Sequence, residues 1–427
     1  MQRLQVEQQL VQDLFNRRAF LEAGVGACAG VISLGQFAPA MDTSPPPVQM
    51  ITNGPKHHWF GYYDKLEFDP TDRYVLGMEV DFEHRQPTPD DQIAIGMVDR
   101  QNGNRWIELG RSKAWCWQQG CMLQWIPKSQ SEVIWNDREG DQFVGRILNV
   151  ESNKTPTISS PIYALTPDGK TGLSVDFSRL NYVRPGYGYV GIDDPNAKDL
   201  APNDAGIFRV ELSTGAMQRL FSIAEVVSRG APLITMKDAK HYFIHVLANP
   251  YAPRFIFLHR WIGPQGTGTR MFTAGMDGRD LRIIHRNGFT SHFIWRDATH
   301  ILAFSKQPTH GTRFYLFEDA ENGKIEPVGP HKMTEDGHAS YLPNLDWILS
   351  DTYPGGSERM QNPYLFHVPS NRRISLGLFH SPPAYRDAWR CDTHPRLSRD
   401  GQTVVIDAPD ARFGRQLFSI DVSAIVS

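Results

Sequence analysis

The sequence predicts an all-β fold: a seven-bladed β-propeller closed by an N-terminal strand. Three observations predict it. First, a short phrase recurs seven times: one or two apolar or aromatic residues, a polar turn rich in Pro, Asp and Gly, then an apolar run. The copies are FDPTDRYVL (from Phe68), WIPKSQSEVIW (Trp125), LTPDGKTGLS (Leu165), TMKDAKHYFI (Thr235), WRDATHILAF (Trp295), LPNLDWILS (Leu342) and LSRDGQTVVI (Leu397). Each reads as two strands joined by a tight turn. One hairpin core per period of this size is how propeller blades appear in sequence. Second, the intervening segments 92–108, 206–221, 270–284, 313–328 and 364–378 alternate apolar and polar residues around Gly, Asp or Asn turns, the pattern of outer strands. Third, 36 Gly, 30 Pro and 11% aromatics suit a turn-rich β chain, and apart from the N-terminal leader only 223–227 reads as helix.

The elements follow in chain order. Residues 16–21 read Asn-Arg-Arg-Ala-Phe-Leu, a small apolar stretch covers 23–37, and Ala38-Pro39-Ala40 follows. This resembles a twin-arginine export signal. It predicts a leader over 1–40, a single propeller domain over 41–427, passage through the twin-arginine export machinery, and a periplasmic or secreted protein. The apolar stretch is too short to span a bilayer comfortably, so no transmembrane helix is expected in the mature protein. An amphipathic helix packed on the domain, or lipid modification at Cys28, are the alternatives. The last repeat ends at QLFSIDVS without a fourth strand, while VQMITNG (48–54) precedes the first repeat without a partner. Pairing the two closes the ring; an open array would leave two bare edges. Residues 181–204, rich in Gly, Pro and Tyr, form an insertion long enough to suggest function. Cys116 and Cys121 read as a pair if exported or as buried thiols, and four cysteines are no disulfide framework. A net charge of −3 gives no footprint for nucleic acid.

Polar residues stand just upstream of the phrases, where the innermost strands run: His57 and His58, Gln118 and Gln119, Ser291-His292, His338, and Asp392-Thr393-His394. His292 and His394 lie three residues before Trp295 and Leu397, and His338 is within one residue of that offset. Innermost strands converge on one axis, so equal offsets mean equal height. His292, His338, Asp392 and His394 are therefore a candidate divalent-metal group, because neutral imidazole with carboxylate suits Zn, Mn or Fe. Structural histidines on inner strands are the plainer reading.

The stretches 275–295, 336–354 and 392–409, with 57–82, resemble the oligogalacturonate lyase family of pectin-degrading enzymes, seven-bladed propellers with an axial manganese site. The resemblance implies a bound manganese, with zinc or calcium as alternatives, and places the family's metal histidines at His292 and His394. A further His and a Gln of that family fall at Asp392 and Trp389, of which Trp389 cannot ligate. The family's base, a His between Gly and Pro before blade four, falls at Ala231 of Gly230-Ala231-Pro232. The expectation is a retained metal, a lost or replaced base, and a uronate-containing, anionic oligo- or polysaccharide other than a pectin oligomer. β-Elimination at such a sugar needs the carboxylate neutralised and a base for the C5 proton. His259, His58, Tyr187 and Arg179 are the candidates for catalysis. Trp59, Tyr63, Gln119 and Tyr189 are those for holding sugar. A carbon–oxygen lyase is the leading class. A non-catalytic glycan- or protein-binding propeller of the cell envelope, or a hydrolase using the same channel, are the others.

Overall fold

Seven four-stranded antiparallel sheets, each with its first strand innermost, make up the fold. The computed structural model of the protein describes residues 45–427. The twin-arginine-like leader and Cys28 lie outside these residues. Blade one is built from His57–Trp59, Tyr74–Val80, Ile93–Asp99 and Arg105–Ser112. Blade five repeats the plan with Thr290–Trp295, His300–Gln307, Gly311–Glu318 and Ile325–Pro327. Blade six carries an extra ribbon, Met360–Gln361 with Phe379–His380. Among the described residues, no helix is long and apolar enough to cross a membrane.

Closure is as the unpaired ends imply. Val48–Met50 adds to Gly414–Asp421 as the outermost strand of blade seven, with Val48 opposite Ile420. Inside that seam, Arg396 of blade seven donates to Glu67 of blade one at 3.0 Å and to Asp407 at 2.9 Å, all three fully buried. Two carboxylates share one guanidinium, and burial pushes Glu67 up to about 7 despite Arg396.

The fourth phrase falls elsewhere than the sequence suggests. Thr235 lies in a 3-10 turn, Ile234–Met236, and the innermost strand of blade four is Lys240–Ala248. Its hairpin turn spans 249–253, where Asn249 Oδ1 accepts the Tyr251 N–H at 2.8 Å. The phrase of this blade is thus LANPYAPRFIF, from Leu247. K-D-A-K also makes a turn, with Asp238 at φ 56°, but one that feeds the blade rather than folding it.

The insertion of blade three opens with a helix, Phe177–Val183, capped by Asp176, whose side chain accepts the Arg179 N–H. The expected helix 223–227 is present, capped by Ser222 and Glu225. Between blades one and two, Trp59, Trp115 and Trp117 pack on one another with ring centroids 5.1–5.6 Å apart and essentially no exposure. Truncating such a buried tryptophan typically costs about 3–5 kcal/mol. Cys116, Cys121 and Cys391 are free, buried thiols.

Candidate metal centre and its surroundings

Backbone irregularity at one height of several inner strands aims side chains at the axis. In blade five the ladder slips between Thr290 and Phe293, around His292, and in blade four between Ile244 and Leu247, around His245. Such bulges turn a side chain out of the ladder. His245 has φ 56° and His394 φ 39°, left-handed conformations that a non-glycine residue adopts at a cost. His245 stands three residues before Ala248, the offset of His292 from Trp295 and of His394 from Leu397.

The four expected metal-site residues come together. His338 lies between His292 and His394, with ring centroids 4.2 Å from each. Ligand atoms of His338, Asp392 and His394 lie within 4.8 Å of one another. His338 Nε2, His394 Nε2 and Asp392 Oδ1 are buried and have no hydrogen-bond partner. An orphaned buried polar atom costs about 1–3 kcal/mol, and here three lie on facing residues whose ligand atoms could hold a metal ion. The remaining atoms are held from behind. Asp351 accepts from His338 Nδ1 at 3.0 Å and from Thr393 at 2.6 Å, Asp336 pairs with His292 Nδ1 at 3.0 Å, and Arg390 donates to Asp392 Oδ2 at 2.7 Å. Carboxylates behind ligating imidazoles fix ring orientation and tautomer.

Burial holds His394 well below the ordinary imidazole value, helped by His338, and burial also lowers His292 against the pull of Asp336. For His338, burial is outweighed by Asp351 and the other carboxylates, and its pKa is raised.

Around this group stand Tyr62, Tyr63, His245, Gln119 and Tyr187. Tyr62 stacks on His245 at 5.0 Å and meets His394 edge-on at 5.3 Å. Gln119 takes the Tyr163 hydroxyl at 2.9 Å and places its amide 3.4 Å from His245 Nδ1, while Tyr62 Oη is 3.4 Å from Nε2. Burial first, then the charge of Arg260, keep His245 well below its ordinary value and therefore neutral. Tyr63 donates to the Phe293 carbonyl at 2.7 Å with its ring 5.3 Å from His338. Tyr187 accepts from Arg390 at 2.6 Å, and although burial opposes it, Arg390 and Arg184 bring the phenol down to about 8. Tyr187 also ties the insertion to the segment before blade seven, a junction that Gln118 reinforces by donating to the Ala388 and Arg390 carbonyls at 3.0 and 3.1 Å.

Other expected site residues sit elsewhere. His259 is on the second strand of blade four, one strand out from the axis, bonded to His241 at 2.9 Å. Its parity with core residues such as Phe257 and Trp261 buries it completely. Arg179 pairs with Asp194 at 3.1 Å and donates to the carbonyls of Asn196, Asp199, Leu200 and His241, so it anchors the insertion and is spent. Tyr189 stacks on Phe177 at 4.3 Å with its hydroxyl on Asn136. Trp59 belongs to the tryptophan cluster, and His58 is held by Gln416 at 3.0 Å and Glu79 at 3.2 Å. Trp389 donates to the Ala384 carbonyl. His245 is the residue the sequence reading missed. The signal is its offset of three from Ala248, the last residue before the blade-four hairpin turn, which emerges once that turn is placed at 249–253.

The fold is similar to an oligogalacturonate lyase from Vibrio parahaemolyticus: 14% identity, TM-score 0.63, covering 90% of this chain and 95% of that one. An oligogalacturonate lyase in complex with manganese aligns at 13% identity and TM-score 0.62, over 89% and 94%. TolB from Acinetobacter baumannii aligns at 13% identity and TM-score 0.41, over 82% and 80%. At these identities the likeness to the two lyases establishes the seven-bladed propeller and nothing finer. No family model matches the chain, and no curated protein does.

Proposed function

We propose that this chain is a metal-assisted lyase that cleaves an anionic, uronic-acid-containing oligo- or polysaccharide by β-elimination. The observation that carries this reading is the axial group of His338, His394 and Asp392, with its three buried, unpartnered ligand atoms. The fold likeness to lyases, one of them with manganese, supports it. When bound there, with His292 adjoining, a divalent ion supplies positive charge that neutralises the sugar carboxylate and stabilises the developing enediolate. Manganese is the metal we favour.

His245 is the base of this account. Its imidazole is neutral, and its two contacts of 3.4 Å are long enough to be exchanged for substrate. It takes the C5 proton, the C5–H electron pair becomes the C4–C5 double bond, and the C4–O bond breaks. Tyr187, 6.1 Å from His245 between ring centroids, returns a proton to the leaving oxygen. Gln119 orients His245, and Tyr63 packs beside the metal histidines. The family's base position was aligned with Ala231, which left the base lost or replaced; that segment precedes the 3-10 turn and is not part of the inner strand. We place the enzyme in the periplasm or outside the cell, on the ground of the twin-arginine-like sequence that predicts a leader over 1–40.

A second reading, a glycan-binding propeller without catalysis, draws on one observation: His292, His338, Asp392 and His394 are each at most 4% exposed. Absorbance of the conjugated C4–C5 double bond, followed over a panel of uronate glycans with and without chelator, separates the two. Chelator-sensitive absorbance on at least one glycan is expected. Metal-loaded protein silent on every glycan overturns the lyase reading.

A further inference from the structure

The neighbours of His245 decide which of its two ring nitrogens is basic. His245 stands where the blade-four ladder slips, at φ 56°, and its backbone N–H leaves the ladder to donate to the Tyr163 hydroxyl at 2.9 Å. A backbone N–H can only donate, so the hydroxyl oxygen accepts there. Tyr163 is fully buried, and its own proton therefore needs an acceptor. Gln119 Oε1 takes it at 2.9 Å. The reverse orientation of the Gln119 amide would turn its nitrogen to the hydroxyl. The phenolic proton would then be buried with no acceptor among the described residues. Tyr163 is itself held in place, stacked on Phe177 at 5.8 Å with Lys65 Nζ 5.3 Å from its ring centroid.

With Oε1 committed to Tyr163, Gln119 turns its amide nitrogen to His245, 3.4 Å from Nδ1. An amide NH2 only donates, so Nδ1 accepts and carries no proton. A neutral imidazole has one N–H, and here it belongs on Nε2. That atom faces Tyr62 Oη at 3.4 Å. Gln119 and Tyr62 are both buried, and the two sides of the ring are thus assigned by protein groups of opposite kind.

We propose that Tyr163 and Gln119 are positioning residues that lock His245 in the tautomer protonated on Nε2, leaving Nδ1 as its basic nitrogen. The tautomer stands on hydrogen bonding alone; its catalytic meaning rests on the lyase reading. In that reading the C5 proton goes to Nδ1, in place of the Gln119 contact. The C5–H electron pair becomes the C4–C5 double bond as the C4–O bond breaks. The imidazolium so formed keeps its second N–H on Tyr62. Which nitrogen of a histidine bears the proton is commonly set by the hydrogen bond at the other, and here that bond is set one residue further back, by Tyr163.

The test is nitrogen NMR of the metal-loaded full chain with isotope-labelled histidine at neutral pH, His245→Gln serving to assign the His245 signals. The expected result is a neutral ring with Nε2 protonated and Nδ1 bare. In Gln119→Glu the side chain accepts instead of donating, and the proton is expected to move to Nδ1. A wild type protonated on Nδ1, or on both nitrogens, overturns the proposal. So does an unchanged tautomer in Gln119→Glu. If that variant does not fold, Tyr163→Phe, which frees Gln119 to turn, takes its place: a mixture of tautomers is expected, and a single unchanged one overturns the proposal. The expected tautomer in a protein that forms no unsaturated product on any glycan would sink the lyase reading and leave the assignment standing.

Discussion

His338 and His394 face each other with ring centroids 4.2 Å apart, and each keeps a buried Nε2 that no hydrogen bond satisfies. Asp351 grips the far side of His338 through Nδ1, so the free nitrogen is the one that faces inward. If that arrangement serves a cation, the carboxylate behind it tunes affinity. Asp351→Asn is expected to weaken metal binding about 10- to 100-fold without removing a ligand. Competition with a fluorescent chelator measures this, and an unchanged affinity would argue that Asp351 only supports the strand.

His245→Gln should lower kcat/KM about 10²- to 10⁴-fold while leaving metal content at the wild-type level. The same substitution at His259, which lies on the second strand against His241, should leave turnover of folded protein close to wild type. Steady-state rates with parallel metal analysis check both. Equal losses at the two positions would mean that His245 acts through folding alone.

Acid should destabilise the fold over a defined range. Burial lowers His241 and His285 from 6.5 to about 4. Above pH 6.5 both are neutral folded or unfolded, and stability is full. As pH falls from 6.5 towards 4 the unfolded chain gains protons that the native state refuses, so stability drops, and it levels off below 4. His285→Gln can keep a contact to Thr290 and Ser305 and should show a shallower fall of Tm over that range. An identical slope would contradict the assignment.

Arg396→Ala should be among the most damaging substitutions in the chain. It leaves the buried Glu67 and Asp407 facing each other across the seam between blades one and seven. Breaking a buried ion pair in this way costs about 3–5 kcal/mol. Denaturant unfolding of the variant gives the number, and a loss under about 1 kcal/mol would show that the seam is held mainly by Val48–Met50 and its partner strand.

Much of this is legible in the sequence. The repeated phrase reported blade number, the partnerless segment at 48–54 reported closure, and the equal offsets of His292 and His394 reported a shared height. What escaped has physical reasons. Both K-D-A-K and N-P-Y-A-P can turn a chain, so the blade-four phrase was set on the wrong one and His245 stayed hidden. The bulges that aim His245 and His292 at the axis break the two-residue alternation on which strand reading depends. Arg179 and Tyr189 lie in an insertion whose composition suggests sugar contact, yet Asp194, Phe177 and Asn136 use them to hold the insertion itself. Side-chain roles in a long loop depend on which partners the fold delivers, and those come from distant sequence.

The most direct test of the central claim is elemental analysis of the purified full chain, wild type beside His338→Ala, His394→Ala and Asp392→Ala. The account predicts about one divalent ion, manganese foremost, per wild-type chain and its loss in all three variants with the fold intact. A wild type that takes up no divalent ion even when supplied with manganese or zinc, or variants that keep it undiminished, would contradict it.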